Sequence, residues 1–327
     1  MKHLTLTLRR TFTALFLAAA LCVQTLAAMP DRLVPGGHTA GIKLYTGGLL
    51  ITALDEQAPA QMAGLRAGDT ILKIDGTRVS SVQDASLRLS SGKSVCLSVR
   101  RGEKQAEFYL TPEKTETGYR LGISVRDNIS GIGTITFFDP ETGVYGALGH
   151  GVAGLTSAQP LAISGGVLVP STVTDVKKGV RGTPGELHGS FDVADPLGSV
   201  SQNEPHGIFG KLTALPQSES VPVADASQIH TGAAVILANV DGAETREYCV
   251  RIDKLYPQAE NGRNLLLTVT DERLLAVTGG IVQGMSGSPI LQDGRLIGAV
   301  THVLVNRPEQ GYGIFLQNML TQCEAYQ

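Results

Sequence analysis

Ser286 stands in the segment Gly284-Met285-Ser286-Gly287-Ser288-Pro289, between two apolar runs. A serine hydroxyl is a weak nucleophile at its ordinary pKa. It needs a base to take its proton and N–H donors aimed at the oxyanion it creates. Glycines around the serine permit a tight turn that exposes Oγ and frees nearby backbone N–H groups. An ordinary glycine-rich turn between strands has the same composition, so the motif alone leaves both readings open. The base would be a histidine, which titrates near neutrality. His150, in Gly146-Ala147-Leu148-Gly149-His150-Gly151-Val152, is held between glycines after a short apolar run. His188, His206, His230 and His302 are its competitors. His302 follows closest on the serine turn, yet Ile297 to Val305 reads as a strand leading away from it. A carboxylate should orient the imidazole. Asp271 ends an apolar strand shortly before the serine, and it equally suits a helix or turn cap. Asp192, Asp195, Asp241 and Asp253 remain open by residue type.

The pattern G-x-S-G-x-P before a strand resembles the serine turn of chymotrypsin-like peptidases. That resemblance implies an oxyanion hole made by the backbone N–H groups of Gly284 and Ser286. The G-x-S-x-G elbow of α/β-hydrolases is ruled out, because Ser288 stands where its second glycine belongs. Gly131-Ile132-Gly133 is followed by Thr136 and fails as a dinucleotide fingerprint. No P-loop, HExxH or paired cysteine ligands occur, so neither a cofactor nor a metal is expected.

Two kinds of element would position these groups. From Tyr119 onward the chain is a series of short apolar strands separated by Gly, Pro and Asp, such as 133–138, 166–169, 233–240, 265–269 and 296–305. This predicts an all-β sandwich or barrel pair, with helix only near 316–325. Before it, Pro59 suits the first turn of a short helix and Gly64 its end. Gly68-Asp69 makes a turn, Ile71, Leu72 and Ile74 a strand, and Asp75-Gly76 a hairpin. Ser81 can cap a helix reaching Ser90, and Val95–Val99 and Glu107–Leu110 read as strands.

The run from Ala58 to Gly76 resembles a bacterial PDZ domain, placed over residues 31–112. The resemblance implies a groove that takes an extended peptide or a C-terminus by β-augmentation. Gly41, Ile42 and Leu44 are expected on the groove strand, with backbone N–H groups of the loop from Pro35 to Ile42 facing a carboxylate. The polar stretch Glu113–Gly118 reads as a linker to the second domain at 119–327.

The 327 residues suffice for about two domains. A formal net charge of −3 without a basic run argues against nucleic acid as the main partner. Residues 1–28 carry Lys2, Arg9 and Arg10, then an apolar stretch from Thr11 to Val23, then small residues. That is a secretory signal or, uncleaved, a membrane anchor. Of four cysteines, Cys22 falls in this segment. Cys96, Cys249 and Cys323 are expected as small buried hydrophobes rather than a metal site.

Signal, PDZ module and the later motifs combine. "VRDNISGIGTITFFDP", "YGALGHGV", "VPSTVTDVKKGVRGTPGE", "HGIFG" and "GGIVQGMSGSPILQDGRLIGAVTHVLVN" resemble the SpoIVB peptidase family, named for stage IV sporulation protein B, over nearly the whole chain. The resemblance implies a mainly β protein: a PDZ domain followed by a chymotrypsin-like serine peptidase domain. It places the catalytic histidine at His150, the serine at Ser286 and the aspartate at Asp271. It also implies a protein substrate in the space between mother cell and forespore. There the family cleaves SpoIVFA, a membrane-bound regulator, releasing an intramembrane protease that processes the sigma-K precursor. Self-cleavage near the N-terminus is a further trait of the family. Two other readings stand beside it: a PDZ scaffold with a peptidase-like fold and no turnover, and a general extracytoplasmic quality-control protease.

Overall fold

A computed structural model describes residues 29–154, 156 and 158–327. The expected signal or anchor at 1–28 lies outside the described residues.

Two long strands organise the first half. Arg32–Pro35 (β1) leads into Thr39–Leu54 (β2). A small α/β unit follows: helix Pro59–Met62 (α1), strands Thr70–Ile74 (β3) and Thr77–Arg78 (β4), helix Val82–Leu89 (α2), and strands Val95–Arg101 (β5) and Lys104–Leu110 (β6). Local signals act as read: Pro59 opens α1, and Ser81 Oγ accepts from the Asp84 N–H to cap α2. The stretch expected as a linker is instead a hairpin, Glu113–Thr115 (β7) with Gly118–Arg120 (β8). The chain then enters Ile123–Phe138 (β9).

Strands β2 and β9 pair along almost their whole length, from Thr39↔Thr134 to Leu54↔Ile123. The pairing carries them through two units. At one end, Leu49–Leu54 of β2 and Ile123–Arg126 of β9 join β3, β5 and β6 around a core that includes Ile51, Ile71, Leu97 and Val99. At the other end the same strands join Val144–Ala147 (β10), Gly165–Lys177 (β11), Gly198–Glu204 (β13) and Gly207–Leu212 (β14); Glu186–Phe191 (β12) forms a hairpin with β11. The pairings β9–β10–β14–β13–β11–β2–β9 close on themselves as a six-stranded barrel. Its interior holds Ile42, Leu44, Tyr145 and Leu168.

The PDZ-like unit is therefore inserted within the first barrel rather than placed ahead of it, and residues 32–45 belong to the barrel. This corrects the groove assignment. Gly41 pairs with Val169 on one side and Ile132 on the other, and Ile42 and Leu44 are likewise paired on both sides. A strand bonded along both edges has no N–H or C=O left for a peptide, so Gly41, Ile42 and Leu44 do not form a PDZ groove.

After Val221–Pro222 (β15), the second half is a closed barrel: Gly232–Ala238 (β16), Arg246–Leu255 (β17), Leu265–Val269 (β18), Pro289–Gln292 (β19), Arg295–Leu304 (β20) and Arg307–Phe315 (β21). Helix Glu272–Thr278 (α3) interrupts it before β19, and Leu316–Leu320 (α4) ends the chain's regular core. The helix α3 is unforeseen in the sequence reading, although Asp271 caps its start and Gly279, at φ +75°, its end. Two barrels side by side are the architecture of chymotrypsin-like peptidases. Cys323 is buried as expected, Cys96 is partly covered and Cys249 is exposed; all three are free thiols.

Candidate active site

Barrel one delivers His150 from the turn after β10, and barrel two delivers Ser286 from the turn before β19. Both side chains line one pocket of about 370 Å³, whose walls are mainly apolar: Ile42, Leu44, Ile129 and Leu148 among them. A larger cavity of about 830 Å³ lies elsewhere, between the PDZ-like unit and the segment around Pro160, and contains neither group.

The serine turn is anchored from both sides. Met285 is fully buried in the core of barrel two. From barrel one, the buried Thr134 of β9 donates through Oγ1 to the Gly284 carbonyl at 2.8 Å and through its N–H to the Ser286 carbonyl at 3.0 Å. Gly287 sits where nothing larger fits. At φ +96°, an added Cβ would lie 2.1 Å from the Thr134 oxygen. Ser288 is fully buried with its Oγ unpartnered, so it cannot be the exposed nucleophile.

The same turn orients two peptide units. The Gln283 carbonyl accepts from Leu187 N–H at 2.8 Å, and the Met285 carbonyl accepts from Ser288 N–H at 3.0 Å. A planar peptide points its N–H opposite to its carbonyl. The N–H groups of Gly284 and Ser286 are thus turned away from those bonds, and among the described residues no acceptor engages either one. Preorganised, unpaired donors beside a serine are what an oxyanion requires.

His150 is held by strain and by one bond. Leu148 and Gly149 both adopt left-handed backbone, at φ +69° and +68°. For Leu148 this conformation costs about 1–2 kcal/mol. The Nδ1 of His150 lies 3.0 Å from the Gly151 carbonyl. A carbonyl only accepts, so Nδ1 carries the proton and Nε2 keeps its lone pair. Burial pushes the His150 pKa below its ordinary value, opposed by the Gly151 bond, and keeps the ring neutral. Ser286 Oγ donates to the Thr301 carbonyl at 3.0 Å, so the hydroxyl must turn about χ1 to reach His150. Loose nucleophile–base contacts are common before substrate binds.

The remaining expected residue makes its bonds elsewhere. Asp271 caps α3, and both its oxygens are engaged: Oδ1 by the N–H and Nε of Arg273, Oδ2 by Arg273 Nη2 and the N–H of Cys249. These bonds hold its carboxyl far below the usual range, with Arg273 the largest cause. No hydrogen bond joins it to His150 among the described residues. Of the other carboxylates left open by residue type, Asp253 is bound by Arg251 and Thr268.

One rival histidine does enter the site. The His302 ring lies 5.4 Å from that of His150, tilted by 40°, and its buried Nδ1 has no partner. Burial, then His150, then Arg263 lower its pKa to about 4. His188 stands near Glu186 and Asp175, His230 binds Asp293, and His206 lies between carbonyls of Asn318 and Glu260. His302's short distance from Ser286 in sequence pointed toward the site; its strand reading pointed away, because the register shift between Val300 and His302 was invisible. The clamps from Thr134 and Leu187 had no signal in the sequence.

Residues 50–101 match a PDZ domain, and residues 117–320 match the SpoIVB peptidase S55 family. A stretch of 69 residues is 36% identical to the mitochondrial serine protease HTRA2 of Bos taurus, covering 21% of this chain and 15% of that protein. The chain spans about a quarter or less of the length of the curated relatives it matches. Among solved structures, the PDZ domain of an SdrC-like protein from Listeria monocytogenes is 26% identical, covering 25% of this chain and 90% of that one, with a TM-score of 0.23. The Rv3671c protease of M. tuberculosis in its active form is 17% identical, covering 59% of this chain and 73% of that one, with a TM-score of 0.37. The peptidase match covers well over half of the 327 residues, and the chain belongs to the SpoIVB peptidase S55 family.

Proposed function

We propose that the chain is an extracytoplasmic serine endopeptidase with Ser286 as nucleophile and His150 as base. The observation that carries this is the turn itself: Ser286 flanked by two clamped, unpaired N–H donors, in one pocket with a neutral histidine. Ser286 Oγ attacks the scissile carbonyl carbon while its proton passes to His150 Nε2. The Gly284 and Ser286 N–H groups bind the resulting oxyanion. Collapse expels the amine, which takes the proton from His150, and water then releases the acyl group by the same steps.

In this reading the Gly151 carbonyl orients the imidazole. Asp271 acts at a distance, by fixing α3 and with it the approach to the serine turn. The substrate follows from family membership: the extracytoplasmic part of a membrane-bound regulator like SpoIVFA, and the chain's own N-terminal part, leading to processing of the sigma-K precursor. The N-terminal pattern supports export or anchoring into the space between mother cell and forespore. The test is incubation of the purified chain lacking residues 1–28 with the extracytoplasmic part of SpoIVFA, with fragments read by mass spectrometry. Cleavage is expected from the wild type and not from Ser286→Ala; equal cleavage by both, or by neither, refutes the reading. A scaffold without turnover gains support from the Ser286–Thr301 bond and from the absence, among the described residues, of a hydrogen bond between Asp271 and His150; the same experiment decides between the two, since cleavage by neither chain favours the scaffold.

A further inference from the structure

The residue that holds the serine hydroxyl also ties down a second loop. Thr301 accepts from Ser286 Oγ through its carbonyl, while its own Oγ1 faces the Gly262 carbonyl at 3.4 Å and the Tyr312 carbonyl at 3.2 Å. Gly262 is buried, at φ +69°. A Cβ there would stand 3.6 Å from the His206 ring and 4.0 Å from the carbonyl of Gly149, the residue before His150. Asn264 is fully buried and binds the carbonyls of Tyr256 and Ala259 and the N–H of Phe315. The backbone of Arg263 is thus fixed between two buried residues beside the serine, while its side chain is exposed.

The Arg263 guanidinium lies over the Tyr312 ring, 5.2 Å from its centroid. Tyr312 pairs across the ladder with His302, whose ring lies 5.4 Å from that of His150. Directly paired residues share a face of the sheet, so Arg263, Tyr312, His302 and the base form one continuous wall of the cleft. Arg263 is close enough to His302 to oppose its protonation. Three other arginines of barrel two, Arg246, Arg251 and Arg273, each bind a carboxylate two residues away. Among the described residues Arg263 binds none. A guanidinium stacked on an aromatic face keeps its N–H fork available to a carboxylate.

The backbone of β20 decides which part of a substrate meets this wall. Its pairing with β19 begins at Pro289↔Ala299, and Gly287 and Ser288 bind the Val300 groups. Past Val300 no strand covers that edge among the described residues. The Thr301 carbonyl faces the edge and is released when the serine hydroxyl turns to His150. The His302 carbonyl faces β21 instead, 2.5 Å from the place of a Cβ on Gly311. Val303 therefore turns its N–H and C=O to the open edge. A peptide running antiparallel here brings the residue before the cut to Thr301 and the third residue before the cut to Val303. Its second and fourth side chains then share the face of His302 and Arg263.

We propose, resting on the peptidase reading above, that Arg263 selects substrates with an aspartate or glutamate at the second or fourth position before the cut, its guanidinium pairing with that carboxylate over the Tyr312 ring.

The probe is a proteome-derived peptide library cut by the full chain as wild type, Ser286→Ala, Arg263→Gln and Arg263→Glu, with cut positions mapped by mass spectrometry. Ser286-dependent cuts by the wild type should favour Asp and Glu over Asn and Gln at one of these positions by roughly tenfold, the order of one charge-assisted hydrogen bond. The preference should fall as salt is raised. Arg263→Gln should remove it, and Arg263→Glu should turn it toward Lys and Arg. Wild-type cuts without acidic enrichment at either position, or a preference that both variants retain, overturn this inference and leave the peptidase standing. The wild-type ratio and its salt dependence decide the matter even where a variant fails to fold. No Ser286-dependent cut at all overturns both.

Discussion

Thr134→Val isolates the grip of barrel one on the nucleophile. The substitution keeps side-chain shape and removes only the hydroxyl, while the Thr134 N–H still reaches the Ser286 carbonyl. The lost bond is partly buried, 2.8 Å long, and leaves the Gly284 carbonyl without its partner. An unsatisfied buried acceptor costs ~1–3 kcal/mol. At about 2–4 °C per kcal/mol for 150–250 residues, the melting temperature should fall by roughly 2–12 °C. The effect on rate should be larger than the effect on folding, because this turn supplies the nucleophile and both oxyanion donors. Loss of one oxyanion donor alone costs ~10²–10³ in kcat, and a loosened rather than deleted donor should cost ~10–100-fold in kcat/KM. The assay is kcat/KM on a cleaved peptide beside a thermal melt. A kcat/KM within twofold of wild type, with the melt lowered, would refute the claim that Thr134 sets the geometry of the turn.

Gly287→Ala places a Cβ 2.1 Å from the Thr134 oxygen and should cost several kcal/mol, ~3–5. Gly294→Ala, also left-handed but with nothing within 4 Å, should cost only ~1–2; equal melting temperatures would contradict the packing described. Asp271→Asn should leave more than a hundredth of wild-type kcat while lowering stability by ~1–2 kcal/mol through the cap, whereas a true triad member costs ~10⁴. A loss that large with an unchanged melt would return Asp271 to the triad. Burial holds His150 and His302 neutral in the folded chain, below their ordinary 6.5. The unfolded chain therefore binds more protons between about pH 4 and 6.5, and stability rises with pH across that window and is fully present above it. His302→Gln should flatten a melt series from pH 5 to 7; an unchanged slope would show that His302 is solvated.

The glycine-rich turns that carry Ser286 and His150 were legible in the sequence because glycine speaks locally, whereas the choice of His150 over its rival histidines rested on the family resemblance. The helices and hairpins of the PDZ-like unit were legible for the same reason. What the sequence hid is long-range pairing. Gly41-Ile42 and Gly122-Ile123 look alike as a glycine before a branched residue. Only the pairing of Gly41 with both Val169 and Ile132 shows that the first is interior to a barrel. The insertion of one unit within another was hidden likewise, since β2 and β9 each serve both. Asp271 read equally well as a cap or a catalytic group, and Arg273, two residues on, decided its local bonding.

The central claim is that Ser286 is a nucleophile activated by His150. A biotinylated peptide phosphonate, with its attachment site mapped by mass spectrometry, tests it most directly. Covalent adduct on Ser286 is predicted for the wild type, none for Ser286→Ala, and labelling slowed at least ~10²-fold for His150→Ala. Adduct on another residue, or equal labelling of wild type and Ser286→Ala, would contradict the account.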